Sequence, residues 1–120
     1  MIADKTVREN WLVVLETAIQ RLEGNRAPDI KPYEVVMRHG SMHVGVYAPR
    51  GFDSQQPHVQ DEVYVVMRGK GKFICGDNER SFGQGDVLFV PAKTEHRFID
   101  FTDDFTAWVV FYGPDGGEID

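Results

Sequence analysis

From Tyr33 to Tyr112 the chain breaks into eight short runs rich in Val, Phe, Tyr and Ile, at 33–38, 42–48, 62–68, 72–75, 80–82, 87–90, 97–101 and 107–112. Between them stand turn-forming stretches such as His39-Gly40-Ser41, Gly76-Asp77-Asn78 and Gly83-Gln84-Gly85-Asp86. Several short strands at such close spacing point to an antiparallel sandwich or barrel. The fold class expected is all-β.

The residues ahead of these runs have a different texture. Thr6 and Glu9 fit a capping box, and Trp11, Leu15, Ile19 and Leu22 follow at helical spacing until Gly24-Asn25 supplies a stop. An amphipathic helix is therefore expected within residues 1–25, its stripe buried either on its own domain or in a dimer. Pro28 and Pro32 make 26–32 a linker. The barrel should occupy 33–113, and the glycine-rich stretch 114–120 has little to bury and is expected to fray. Phe73, Phe89, Phe98, Trp108 and Phe111 are expected in the barrel core.

A chain of 120 residues is one domain on length. Its net charge of -6 argues against a partner held through phosphates, such as nucleic acid, and against a basic membrane anchor. The single cysteine, Cys75, excludes an intrachain disulfide and reads as a small buried hydrophobe. Met1 to Lys5 carries no basic segment leading into an apolar one, so a cytoplasmic protein with no membrane partner is expected.

Chemistry concentrates in two places. In Gln56-Pro57-His58-Val59-Gln60-Asp61-Glu62-Val63-Tyr64, Pro57 and the β-rich sequel exclude a helix. An extended chain would put Gln56, His58, Gln60, Glu62 and Tyr64 on one face, but would hold the His58 and Glu62 Cα atoms about 13 Å apart. A bend at Val59 to Asp61 is expected if the two are to meet. The second place is Gly85 to His96, where a strand runs into the Pro91 turn and His96 opens the next strand. His58, His96 and Glu62 together make a two-histidine, one-carboxylate set suited to a divalent transition metal. The alternative is that they hydrogen-bond one another inside a polar barrel. His39 and His43 read as solvated or internally satisfied.

At these residues the sequence resembles the cupin family. Gly51, His58, Glu62 and Gly69 fall in register with its first motif, and Gly85, Pro91 and His96 with its second. The resemblance implies a double-stranded β-helix, or jelly-roll, barrel with one N-terminal helix, and a tendency to homodimerise. It departs at Gln56, which stands where the family has its first histidine, at Lys93 in place of a turn glycine, and at Asp100 in place of an asparagine. It implies one divalent ion per chain (Zn, Fe, Mn or Ni) on His58, Glu62 and His96. Gln56 is expected as a fourth ligand, with Gln60 a weaker alternative. A Gln, two His and a Glu also resemble the zinc set of the phosphomannose isomerase branch. A small oxygen-bearing metabolite is the expected partner. The chemistry open to such a site is Lewis-acid isomerase or lyase chemistry, an Fe(II) dioxygenase reaction, or binding without turnover. Because Glu62 is committed to the ion, a general base would have to be Tyr64 or a hydroxide on the ion.

Overall fold

The computed structural model describes residues 11–28 and 31–119. One helix, α1 (Leu15–Gly24), precedes eight strands: β1 (Tyr33–His39), β2 (Met42–Tyr47), β3 (Asp61–Arg68), β4 (Lys70–Cys75), β5 (Asn78–Gly83), β6 (Val87–Val90), β7 (His96–Ile99) and β8 (Thr106–Tyr112). Each strand overlaps one of the runs read from the sequence. All pairings are antiparallel, and they build a five-stranded sheet, β1-β2-β8-β3-β6, and a three-stranded sheet, β5-β4-β7. This is the all-β jelly-roll barrel expected.

The period-two rule decides what each strand buries. Tyr64 and Val66 on β3, Ala107, Val109 and Phe111 on β8, and Phe73 and Phe98 from the smaller sheet meet between the sheets. The intervening residues of the large sheet face outward. There Val46 and Trp108 join Val36, Ala18 and Leu22 in a second apolar layer beneath α1. Two of the expected core aromatics therefore lie elsewhere. Trp108 packs outside the barrel against the helix layer, and Phe89, opposite Val63, is 52% exposed on the edge strand β6. Strand parity, not aromatic character, sets both.

The helix stripe thus covers the chain's own barrel. Val14 is extended at the N-cap of α1, and Trp11 lies ahead of the helix, 76% exposed. The Thr6–Glu9 capping box lies outside the described residues. The tail is hydrogen-bonded to the barrel as far as residue 118. Gly116 N–H donates to Val59 O (2.7 Å), Glu118 N–H to Asp61 Oδ2 (2.8 Å) and Gly113 N–H to Ser41 Oγ (3.0 Å). Buried Asp61 anchors two segments at once, since its Oδ1 also accepts from Ala92 N–H at 2.9 Å.

Between β3 and β4, Gly69 has φ +87, and a Cβ there would stand 2.7 Å from the Phe105 Cα and 2.6 Å from Thr102 Oγ1. Both the turn and the close approach call for glycine. No helix among the described residues is long and apolar enough to cross a membrane.

Candidate metal centre

The site lies between the two sheets at one end of the barrel. Glu62 comes from β3, cross-strand from Val90 on one side and Phe111 on the other, and is 1% exposed. His96 opens β7 on the opposite sheet, cross-strand from Cys75, and is buried. His58 comes from the irregular segment before β3. The chain bends at Val59 and Gln60, which brings His58 Nε2 to 3.8 Å from Glu62 Oε1. His96 Nε2 is 3.2 Å from the same oxygen. Each of the three residues offers one ligand atom, and these lie within 4.8 Å of one another.

Gln56 does not join them. It is exposed, and the neighbouring Gln55 turns inward instead. The expectation failed because the segment before β3 is not a strand, so alternation does not carry through Pro57. Gln55 Oε1 accepts from the Tyr64 hydroxyl at 2.8 Å and lies 3.3 Å from both His58 Nε2 and His96 Nε2. Asp53 holds the other end of that amide: Gln55 Nε2 donates to Asp53 Oδ2 at 2.9 Å. Asp53 is fixed in turn by Phe98 N–H (2.8 Å) and by the Tyr47 hydroxyl. Gln55 and Asp53 were both missed in the sequence. The available signal was an Asp two residues before a Gln in a loop leading into a ligand-bearing strand. Gln60, the weaker alternative, spends its amide on the Ser41 and Gly113 carbonyls at 2.8 and 3.0 Å.

The proton inventory tests whether an ion fits. His96 Nδ1–H donates to the Thr94 carbonyl at 2.9 Å, because a carbonyl only accepts. In the neutral ring Nε2 is then a lone pair facing Glu62 and Gln55, the arrangement by which metal-binding histidines are oriented. Glu62 Oε1 is buried with no hydrogen-bond partner. A cation, either a metal ion or a proton on His96 Nε2, satisfies electron-rich atoms gathered in this way. Four of the six edges among these donors, 3.2, 3.3, 3.3 and 3.8 Å, bracket the edge of about 3.4 Å expected for a tetrahedral ion with donors near 2.1 Å, and the ligand atoms of His58, Glu62 and His96 lie within 4.8 Å of one another. The residues fit a divalent transition ion, with His58, Glu62 and His96 as the group that can hold it.

The titrating groups respond to the same crowding. Burial works against charging His96, but hydrogen bonding by Glu62 and the Thr94 carbonyl outweighs it and raises its pKa. Burial lowers that of His58, with Glu62 pulling the other way. Burial, and then the charge of Glu62, push the Tyr64 hydroxyl well above the usual tyrosine range. Tyr64 therefore stays protonated and serves as a hydrogen-bond donor, not as a base. Cys75, half-buried, is raised by burial and is not an activated thiol.

A cavity of about 260 Å³ opens onto this group, its walls including Tyr33, His43, Val59, Val109 and Phe111. His43 stacks on Phe111 at 4.7 Å and stands apart from the three clustered residues; His39 is exposed.

Comparison with known proteins gives consistent relatives. The cupin domain family profile matches residues 43–112. An uncharacterised protein of Streptomyces coelicolor is 36% identical over 99 residues, covering 81% of this chain and 94% of its own. Acireductone dioxygenase 1 of Pectobacterium atrosepticum is 38% identical over 71 residues, which cover 54% of this chain and 40% of that enzyme. The crystal structure of a cupin 2 conserved barrel domain protein from Salinispora arenicola superposes with a TM-score of 0.59 at 21% identity, over 76% of this chain and 83% of that one.

Proposed function

Since the chain belongs to the cupin domain family, we propose that it holds one divalent transition ion on His58, Glu62 and His96, with the Gln55 carbonyl oxygen as fourth donor, and acts on a small oxygen-bearing metabolite by isomerase- or lyase-like chemistry. The observation that carries this is Glu62 Oε1, buried without a hydrogen-bond partner 3.2 Å from His96 Nε2. When bound, such an ion supplies Lewis acidity toward a ligand carbonyl. The protein's own groups do the rest. Glu62 is committed as a charged donor. Tyr64, held protonated, donates its hydrogen bond to Gln55 Oε1 and so fixes that oxygen in the site. Phe111 and Val109 keep one wall of the cavity dry.

The test is elemental analysis after expression in metal-supplemented medium, followed by turnover assays. About one ion per chain is expected, with occupancy falling sharply in His96→Ala. A metal-free parent that shows no thermal shift with Zn, Mn, Fe or Ni would sink the reading, because an ion bound only by the native state raises the melting temperature.

The likeness to acireductone dioxygenase 1 favours a second reading, an Fe(II)-dependent dioxygenase. Oxygen consumption by iron-loaded protein with substrate selects it over the first. Ligand-induced stabilisation without product selects a binding module. Homodimerisation belongs to the same proposal: Trp11 and Leu12, exposed ahead of α1, offer apolar surface for it, and light scattering at 13.6 kDa would refute it.

A further inference from the structure

One polar group on the cavity wall has no partner within the described chain. The Tyr33 hydroxyl is buried and makes no hydrogen bond among the described residues. Its position is built. The ring lies over Gly45 on β2, where a Cβ would stand 2.4 Å from the ring carbon Cε1 and 2.6 Å from the hydroxyl oxygen. No other residue at 45 leaves room for this seat. Phe111 holds the ring edge-on at 6.0 Å and is itself edge-on to His58 at 4.8 Å. Tyr33, Phe111 and His58 thus form one continuous wall from the cavity side to the metal centre.

Burial and the charge of Glu62 keep the Tyr33 hydroxyl protonated, so it presents a donor. A buried donor without a protein acceptor costs free energy unless water or a ligand supplies one. Lys31, two residues upstream, is exposed and is the one Lys or Arg among the described residues that line the cavity. Its charge favours an anionic acceptor. The remaining wall is apolar and aromatic, and the volume of about 260 Å³ falls below the ~300–1,000 Å³ of drug-sized sites.

We propose that the cavity binds a small oxo- or hydroxycarboxylate, its carboxylate accepting a hydrogen bond from Tyr33 beside Lys31 and its second oxygen function turned toward His58, Glu62 and His96. The metal-directed end rests on the function proposed above; the Tyr33 end does not. The ligand's carbon body lies against Phe111 and Val109. Gly45 is a positioning residue that acts only through the Tyr33 ring.

The experiment compares 2-oxobutyrate with its methyl ester as probes, titrated into zinc-loaded and zinc-free protein and read by backbone amide shifts. The acid should bind at least about tenfold tighter than the ester. Tyr33→Phe should lose about tenfold in affinity for the acid, with ester binding and zinc affinity unchanged. Gly45→Ala should reproduce that loss. Equal binding of acid and ester, no binding of either, or a Tyr33→Phe variant that binds the acid like the parent overturns the proposal. If the protein takes up no zinc, the metal reading fails, and the acid–ester comparison on zinc-free protein still decides the Tyr33 site.

Discussion

Gln55 Nε2 donates to Asp53 Oδ2 at 2.9 Å, and this contact decides which end of the Gln55 amide faces the two site histidines. With the NH₂ spent on a carboxylate, the carbonyl oxygen is turned toward Tyr64, His58 and His96. A reversed amide would put N–H groups against the histidine nitrogens and repel a cation. Asp53 therefore orients a donor without touching the site itself.

Gln55 and Gln56 are consequently separable. Gln55→Ala should weaken metal binding about three- to tenfold, the effect of losing one neutral oxygen donor or its support. Gln56→Ala should leave it within about twofold, since that side chain is exposed. Competition against a chromophoric chelator at fixed pH measures both. Equal losses from the two variants would remove Gln55 from the site.

Glu62 should show opposite effects on metal binding and on metal-free stability. Its carboxylate lies between Val90 and Phe111, a costly place for a charge without a cation. Glu62→Gln keeps the shape, removes the charge and can donate to His96 Nε2. The metal-free variant should be more stable than the metal-free parent by about 1 kcal/mol, or roughly 3–5 °C in Tm. Its metal affinity should fall by more than about tenfold. A metal-free variant less stable than the parent would show that Glu62 is satisfied without an ion.

Asp61 should matter to stability and little to the metal. Its two oxygens accept from Ala92 N–H and Glu118 N–H, which ties the Pro91 turn and the tail to the start of β3. Asp61→Ala strands both donors and should cost about 2–3 kcal/mol in urea unfolding. A loss below about 0.5 kcal/mol would mean that water replaces the carboxylate at no cost.

The sequence is most legible where one local rule acts alone. Each β-rich run became a strand because turn residues bound it and its Val, Phe, Tyr and Ile content favours an extended chain. The grouping of His58, Glu62 and His96 was legible because two motif-bearing segments carry them. What was misjudged depends on two rules meeting. Phe89 and Trp108 are apolar enough for the core, but parity turns them outward. Gln56 has the right parity on paper, but the loop before β3 does not alternate, and a tertiary contact to Asp53 selects its neighbour. The tail has little to bury, and its hydrogen bonds to the Val59 carbonyl and the Asp61 carboxylate are contacts that composition does not report.

Lys93 marks the point where the chain departs from a glycine and bears the cost. Its φ is +65, a left-handed conformation that costs a residue with a Cβ about 1–2 kcal/mol. The conformation is held because Lys93 N–H donates to the His58 carbonyl, which ties the turn after β6 to the segment that carries His58. The side chain itself is exposed and has no hydrogen bond or ion pair among those described. Lys93→Gly keeps the N–H and releases the strain, while Gly's greater freedom in the unfolded chain takes back part of the gain. A net stabilisation of about 0.5–1 kcal/mol is expected in urea unfolding, with metal affinity unchanged. Lys93→Pro removes the N–H and forbids the positive φ, so it should destabilise the fold and loosen metal binding together. If Lys93→Gly instead destabilises, the lysine side chain makes a contact worth more than the strain.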